Sequence, residues 1–252
     1  MGRLLTILLA LLTALLAAVF LLSMTNSFPF SGLRESVGPT LFDPLVSMSL
    51  AILVLLTGFS AEAPRLGGSK EIALVSMVIG LGSAGRVLFA LAPNISPVDW
   101  LTLCTGIVFG PVTGFTVGAG TMLISNFYLG QGPWTIYQMV GMGLLGVVGG
   151  LLGRWKSRVG TRTLVAIGLA WGLVYGIITS AFWVLMISSV LNWASFTTYL
   201  VSGIPFYILQ GVGNAMLLLF LGDRTLRVLD RFRAKFTVEL GEGSWDDSVE
   251  LR

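Results

Sequence analysis

The chain has 252 residues, of which 55% are hydrophobic and 11% charged, with a mean hydropathy of +0.89 and a net charge of +3. Soluble domains carry about a quarter charged residues, so this composition excludes one and points to an all-α integral membrane protein. With no histidine and one cysteine, Cys104, the chain excludes histidine acid–base chemistry and an intrachain disulfide, and zinc, haem or iron–sulfur centres have little to build on.

In chain order, Arg3 precedes an apolar run over 4–24 that is too long for a signal-peptide core and reads as a membrane helix. Residues 26–44 read as a polar loop, followed by a second apolar run over 45–60. The Gly, Pro and charged residues of 61–71 make the best internal boundary. Beyond it lie runs at 72–92, 98–110, 112–128, 134–153, 162–189 and 197–222. The expected organisation is a two-helix preface and linker over 1–70, a six-helix membrane domain over 71–225, and a basic juxtamembrane helix with an acidic tail over 226–252. Arg224, Arg227, Arg231, Arg233 and Lys235 interleave with Leu226, Leu229, Phe232 and Phe236, the pattern of a helix lying on an anionic membrane surface.

The run at 98–110 is only about 20 Å long as a helix, short of the roughly 30 Å hydrocarbon core. Gly110-Pro111 is therefore either a kink within one span or a turn between two. With a turn, the basic clusters at Arg3, Arg65/Lys70, Arg154–Arg162 and the C-terminal stretch fall on one side, as the positive-inside rule expects. This gives eight spans with both termini cytoplasmic, in a prokaryotic cell membrane. The connectors 93–97, 129–133 and 190–196 then lie outside.

The middle connector lies within Asn126-Phe127-Tyr128-Leu129-Gly130-Gln131-Gly132-Pro133-Trp134-Thr135-Ile136-Tyr137-Gln138-Met139, which crowds amides, aromatics and a hydroxyl between two apolar runs. An interfacial aromatic belt accounts for Tyr128, Trp134 and Tyr137 but not for Asn126, Gln131 and Gln138. Arg86 is the only basic residue inside an apolar run. A charge there is costly and marks a ligand contact, an ion pair with Asp99, or a snorkelling side chain. Tyr207, Gln210 and Asn214 are set on the last span, the two amides four residues apart on one face. Ala73, Ser76, Gly80 and Ala84 give a small-residue stripe that suits helix packing, within the chain or against a partner subunit. The glycine series from Gly141 to Gly153 reads as packing within the chain. No phosphate-binding loop and no mid-span carboxylate stands out, so a transporter built from this chain needs an energy source from elsewhere.

Gly85-Arg86-Val87-Leu88-Phe89-Ala90, Pro93-Asn94 with Pro97, and Gly130-Gln131-Gly132-Pro133-Trp134-Thr135 with Gln138-Met139 resemble the substrate-binding S component of energy-coupling factor (ECF) vitamin transporters. The resemblance covers about residues 70–225; the two preceding helices depart from the six-helix pattern. It implies a non-enzymatic subunit without a cofactor that captures a vitamin or related micronutrient, a cobalamin-type corrinoid being favoured. Biotin precursors and thiamine derivatives also suit such a lining. Implied partners are a membrane T component and two cytoplasmic ATPases that hydrolyse ATP. Ala73, Ser76, Gly80 and Ala84 would dock the T component. The expected ligand contacts are Arg86, Phe89, Asn94, Asn126, Tyr128, Gln131, Trp134, Tyr137, Gln138, Tyr207, Gln210 and Asn214. The competing expectation is a self-sufficient secondary transporter or channel for a small organic solute, and a lipid-modifying enzyme lacks a general base.

Overall fold

The computed structural model describes residues 2–24, 30–62, 69–92, 94–155, 159–188 and 193–242. Among them the chain is helical throughout, with no strand. The helices are α1 (Gly2–Met24), α2 (Phe30–Val37), α3 (Pro39–Glu62), α4 (Ser69–Leu88), α5 (Pro97–Phe109), α6 (Pro111–Leu129), α7 (Trp134–Trp155), α8 (Thr161–Ser188), α9 (Trp193–Leu217) and α10 (Asp223–Glu242). Segments Ile72–Leu91, Trp134–Trp155, Thr161–Val184 and Trp193–Lys235 are long and apolar enough to cross a membrane. The outward faces agree: Leu81, Phe127, Leu173, Ile208 and Phe220 are each more than half exposed. Such a contiguous apolar exterior calls for a membrane around it rather than water.

Helix ends follow local chemistry. Ser96 caps α5, its hydroxyl accepting the Val98 amide at 3.3 Å, and Pro97 stands at the first helical position, where its missing N–H costs nothing. Gly110 ends α5 at φ +102°, a conformation that side chains rarely adopt, and Pro111 then starts α6. This is a turn and not a kink, because α6 folds back along α5. A Cβ on Gly114 would lie 2.7 Å from the Gly106 Cα, whereas eight residues along one helix span about 12 Å.

Helix α7 fills the groove of that hairpin. It runs antiparallel to α6, with Gly118 against Met142, Gly114 against Gly146 and Pro111 against Gly150. It runs parallel to α5, with Leu103 against Gly149 and Ile107 against Gly153. A Cβ on Gly146 would stand 2.1 Å from the Gly114 carbonyl carbon, so the α7 glycines exist to let backbones touch. Packing within the chain is their role. Helices α8 and α9 form a second antiparallel hairpin, with Gly172 against Tyr207 and Gly211. Leu103, Met139, Met142, Leu145, Leu164 and Leu218 anchor the main core, and α4 adds Val75, Val78 and Ile79 against Leu101 and Val117.

The small-residue stripe of α4 behaves differently from that of α7. Leu74, Val75, Val78, Ile79, Gly82 and Ser83 face inward, while Ala73, Ser76, Gly80 and Ala84 are exposed. A Cβ on Gly80 would meet nothing within 4 Å. The stripe is therefore not used for packing among the described residues.

The N-terminal segment differs from the two-helix expectation. Residues 26–44 are not all loop: α2 and the first turn of α3 lie inside them. Pro44 does not stop α3, which runs through it from Pro39 to Glu62. Helices α1 and α3 pair through Thr13 and Thr57, whose hydroxyls are 3.1 Å apart. Gly58 of α3 meets Thr116 of α6, and an apolar groove of about 610 Å³ separates this pair from Val112, Phe115 and Val147. Most of the 61–71 linker, the middle of the 154–162 loop, residues 190–192 of the third connector, and the acidic tail beyond 242 lie outside the described residues.

Helix α9 continues into α10 through a π turn, Leu218–Gly222. Beyond it, Thr225 accepts the Trp100 indole N–H at 3.1 Å, and Arg233 donates to the Val108 carbonyl at 2.8 Å. Helix α10 thus lies against α5, with Leu229 buried and Arg224, Arg227, Arg231 and Lys235 exposed.

Candidate functional site

The last turn of α4 brings Arg86 beside the last two turns of α6. One guanidinium nitrogen, Nη1, donates to the Ser125 hydroxyl at 2.7 Å and to the Asn126 Oδ1 at 2.6 Å. The Asn126 Nδ2 in turn donates to the Thr135 hydroxyl at 3.0 Å and to the Gln138 Oε1 at 2.8 Å. Thr135 passes its own proton to the Gln131 Oε1 at 2.8 Å, and Gln131 Nε2 donates to the Leu123 carbonyl at 3.0 Å. Each of these donors finds an acceptor, so the network has one direction and one geometry.

The 130–133 connector is what makes this network possible. Gly130 sits at φ +109°, donates to the Asn126 carbonyl at 2.8 Å, and lets Gln131 fold back under the loop. The Trp134 indole donates to the Gly130 carbonyl at 3.3 Å, and its ring lies flat on Gly132, where a Cβ would stand only 2.4 Å from it. Asn126, Gln131 and Trp134 are thus positioning residues.

Beyond Arg86 opens a cavity of about 190 Å³ between α4, α5, α6, α7, α8 and α9. Arg86, Asn94, Ser96, Asp99, Gln138 and Gln210 supply charged and polar groups to its wall. Tyr137, Tyr175, Tyr207 and Thr179 add hydroxyls, and Met122 and Met142 are the apolar members. Glycines make room for the rings: Tyr175 covers Gly141, and Tyr207 covers Gly176 and Gly203. Tyr207 and Ser180 share a hydrogen bond of 2.9 Å, and Tyr137 packs on Phe182 with ring centroids 4.4 Å apart. Asn94 adopts φ +54° and donates to the Phe206 carbonyl at 3.2 Å, tying the 92–96 connector to α9.

Asp99 is the buried acid of the site, only 3% exposed. It stands in the first turn of α5, where the helix dipole favours an anion, and its Oδ1 accepts from Gln210 Nε2 at 3.2 Å. Among the described residues no ion pair joins it to Arg86; the two charges line the same cavity, each held by neutral partners. Asn214, one turn beyond Gln210, is fully buried, and its amide lies near the Asp99 carboxylate without the geometry of a full hydrogen bond.

Six expected contacts line the cavity together: Arg86, Asn94, Tyr137, Gln138, Tyr207 and Gln210. Six do not. Phe89 and Tyr128 are exposed on the outside, while Asn126, Gln131, Trp134 and Asn214 stand behind the wall. Asp99, Ser96, Tyr175 and Thr179 are wall residues that sequence reasoning did not select as contacts. A carboxylate just after the Ser-Pro start of α5 and a tyrosine between Gly172 and Gly176 were the available signals. Among the described residues no group of three His, Cys, Asp or Glu side chains is placed to hold a metal ion.

A family model matches residues 68–229, from just before α4 into α10, and so contains every wall residue of the cavity. The chain belongs to the DUF6580 family. That family is described as being of unknown function, and α1 to α3 lie outside the matched region of this DUF6580 member. Comparison with curated proteins gives no match. Comparison with solved structures gives none either.

Proposed function

We propose that this DUF6580 protein is a substrate-capture subunit of an ECF-type importer. It binds a small polar micronutrient in the Arg86 cavity and relies on a T component and two cytoplasmic ATPases for energy. The observation that carries the reading is the cavity itself: a half-buried arginine, an acid, three amides and three tyrosines converge in a membrane bundle. Pockets with a few convergent polar groups are the default binding sites. The lack of a nucleotide-binding motif in the sequence supports an external energy source.

In this reading α1, α3 and α4 to α9 are eight spans, with both termini cytoplasmic and the 92–96 and 130–133 connectors outside. The exposed Ala73, Ser76, Gly80 and Ala84 stripe is the docking face for the T component, since small residues let a second helix approach closely. The cavity volume favours a ligand far smaller than a corrinoid. An apolar cavity of about 150 Å³ takes a benzene-sized guest, and the cavity here is about 190 Å³. The micronutrient is then a single-ring or short-chain compound.

The test is native mass spectrometry of the full chain purified in mild detergent. A bound small molecule, lost in Arg86→Ala, supports capture; a protein that carries none and takes up none from growth medium overturns it. A second reading, a self-sufficient secondary transporter, is favoured by one observation, the buried Asp99 in the cavity wall. Intramembrane carboxylates carry coupling protons or ions. Gradient-driven uptake into proteoliposomes containing this chain alone would establish that reading instead.

A further inference from the structure

We propose that the ligand of this cavity is dipolar, with an anionic group seated on Arg86 and a cationic nitrogen facing Asp99. This rests on the capture reading and names the substrate class for it. Arg86 spends only Nη1 on the protein, in its bonds to Ser125 and Asn126. A guanidinium has five N–H donors, so Nε and Nη2 keep three, without hydrogen bonds among the described residues, on a side chain that lines the cavity. That is the fork that receives a carboxylate or phosphate through two parallel bonds.

Asp99 is the complementary half. It is a buried carboxylate that accepts a hydrogen bond from a neutral amide, Gln210. No lysine or arginine nitrogen lies within ion-pair distance of it among the described residues, although buried charges are otherwise paired. Tyr137, Tyr175 and Tyr207 line the same space, and aromatic faces attract a cationic nitrogen. A purely anionic ligand would satisfy Arg86 and bring a second negative charge beside Asp99. A purely cationic ligand would do the reverse. A dipolar ligand compensates both charges and adds no net charge to the membrane interior. The cavity admits about a benzene ring's worth of atoms with a little to spare, which is the scale of an amino acid or an aminated ring acid.

The experiment uses the full chain in detergent and the small-molecule fraction of yeast extract, sorted by ion exchange. Dipolar compounds are retained on a cation exchanger at acid pH and on an anion exchanger at alkaline pH; fixed anions and fixed cations are retained on one only. The expected result is thermal stabilisation of the protein by the doubly retained fraction alone. Asp99→Asn and Arg86→Gln should each weaken that stabilisation by about tenfold or more in apparent affinity, while Phe127→Ala on the lipid-facing side leaves it unchanged. Stabilisation by a singly retained fraction would overturn the dipolar assignment and leave capture standing. Stabilisation by no fraction would overturn both. The wild-type measurement decides the matter even if a variant fails to fold.

Discussion

Asn126 uses both ends of its amide, accepting from Arg86 and donating to Thr135 and Gln138, so its removal is felt on three elements at once. Asn126→Leu should weaken ligand binding by about tenfold or more and lower thermal stability, because Arg86 loses its aim and buried groups lose partners worth roughly 1–3 kcal/mol each. Thermal unfolding with and without a small molecule found to bind the full chain separates the two effects. Trp134→Ala should reduce capture without unfolding the protein, since the indole braces Gly130 and Gly132 and does not support the core. Loss of expression would point to a plain interfacial residue instead. Much of this was legible in the sequence at single residues. Arg86 stood out as a lone charge in an apolar run, and the amides of 126–138 were crowded in one stretch. Tyr128 is expected among the contacts for the same reason of proximity, yet two residues after the inward Asn126 is about 200° around a helix, and its side chain is exposed. Asp99 is legible only as a possible partner of Arg86, and Tyr175 not at all, because only tertiary packing brings α5 and α8 to the α6–α7 corner.

At the scale of elements, two stripes of small residues face opposite ways, one into the core and one out of it. Gly146, Gly149, Gly150 and Gly153 of α7 meet backbone, so Gly146→Leu should abolish a monodisperse, detergent-extractable protein. Gly80→Leu on α4 meets open space and should leave folding and ligand binding intact. In a co-purification assay it should remove association with the membrane subunit proposed as its partner, and retained association would move the docking face elsewhere. Spacing alone could not separate the two stripes. Both satisfy small-x-x-x-small, and only the direction of each face relative to the core distinguishes them. The Gly110 turn was legible because charge placement demanded it, and the positive φ there is its physical basis.

For the whole molecule, every wall residue of the cavity lies in α4 to α9 or the connector between α4 and α5, and α1 to α3 only flank α6 and α7. A chain beginning at residue 67 should therefore bind ligand within about twofold of the full chain, as sites without shared partners are nearly additive. It should also melt at lower temperature, because Val112, Phe115 and Val147 lose their cover. Titration of both forms with a small molecule found to bind the full chain checks this. The preface was visible in the sequence as apolar runs, but its helical start at Phe30 and Pro39 was hidden by the polar composition of residues 30–40.

The π turn at Leu218–Gly222 sets the phase of everything after it. A π turn holds one residue more than an α-helical path of the same rise, so it offsets the following helix by about 100°. Deleting Leu219 would let α9 run into α10 as plain α-helix and swing the charged segment a quarter-turn or more. Thr225 and Arg233 would leave Trp100 and Val108, and Leu229 would come out of its buried place. What keeps the basic helix against α5 is thus a count of residues, and a deletion that leaves every charge in place should undock it as surely as a change of charge.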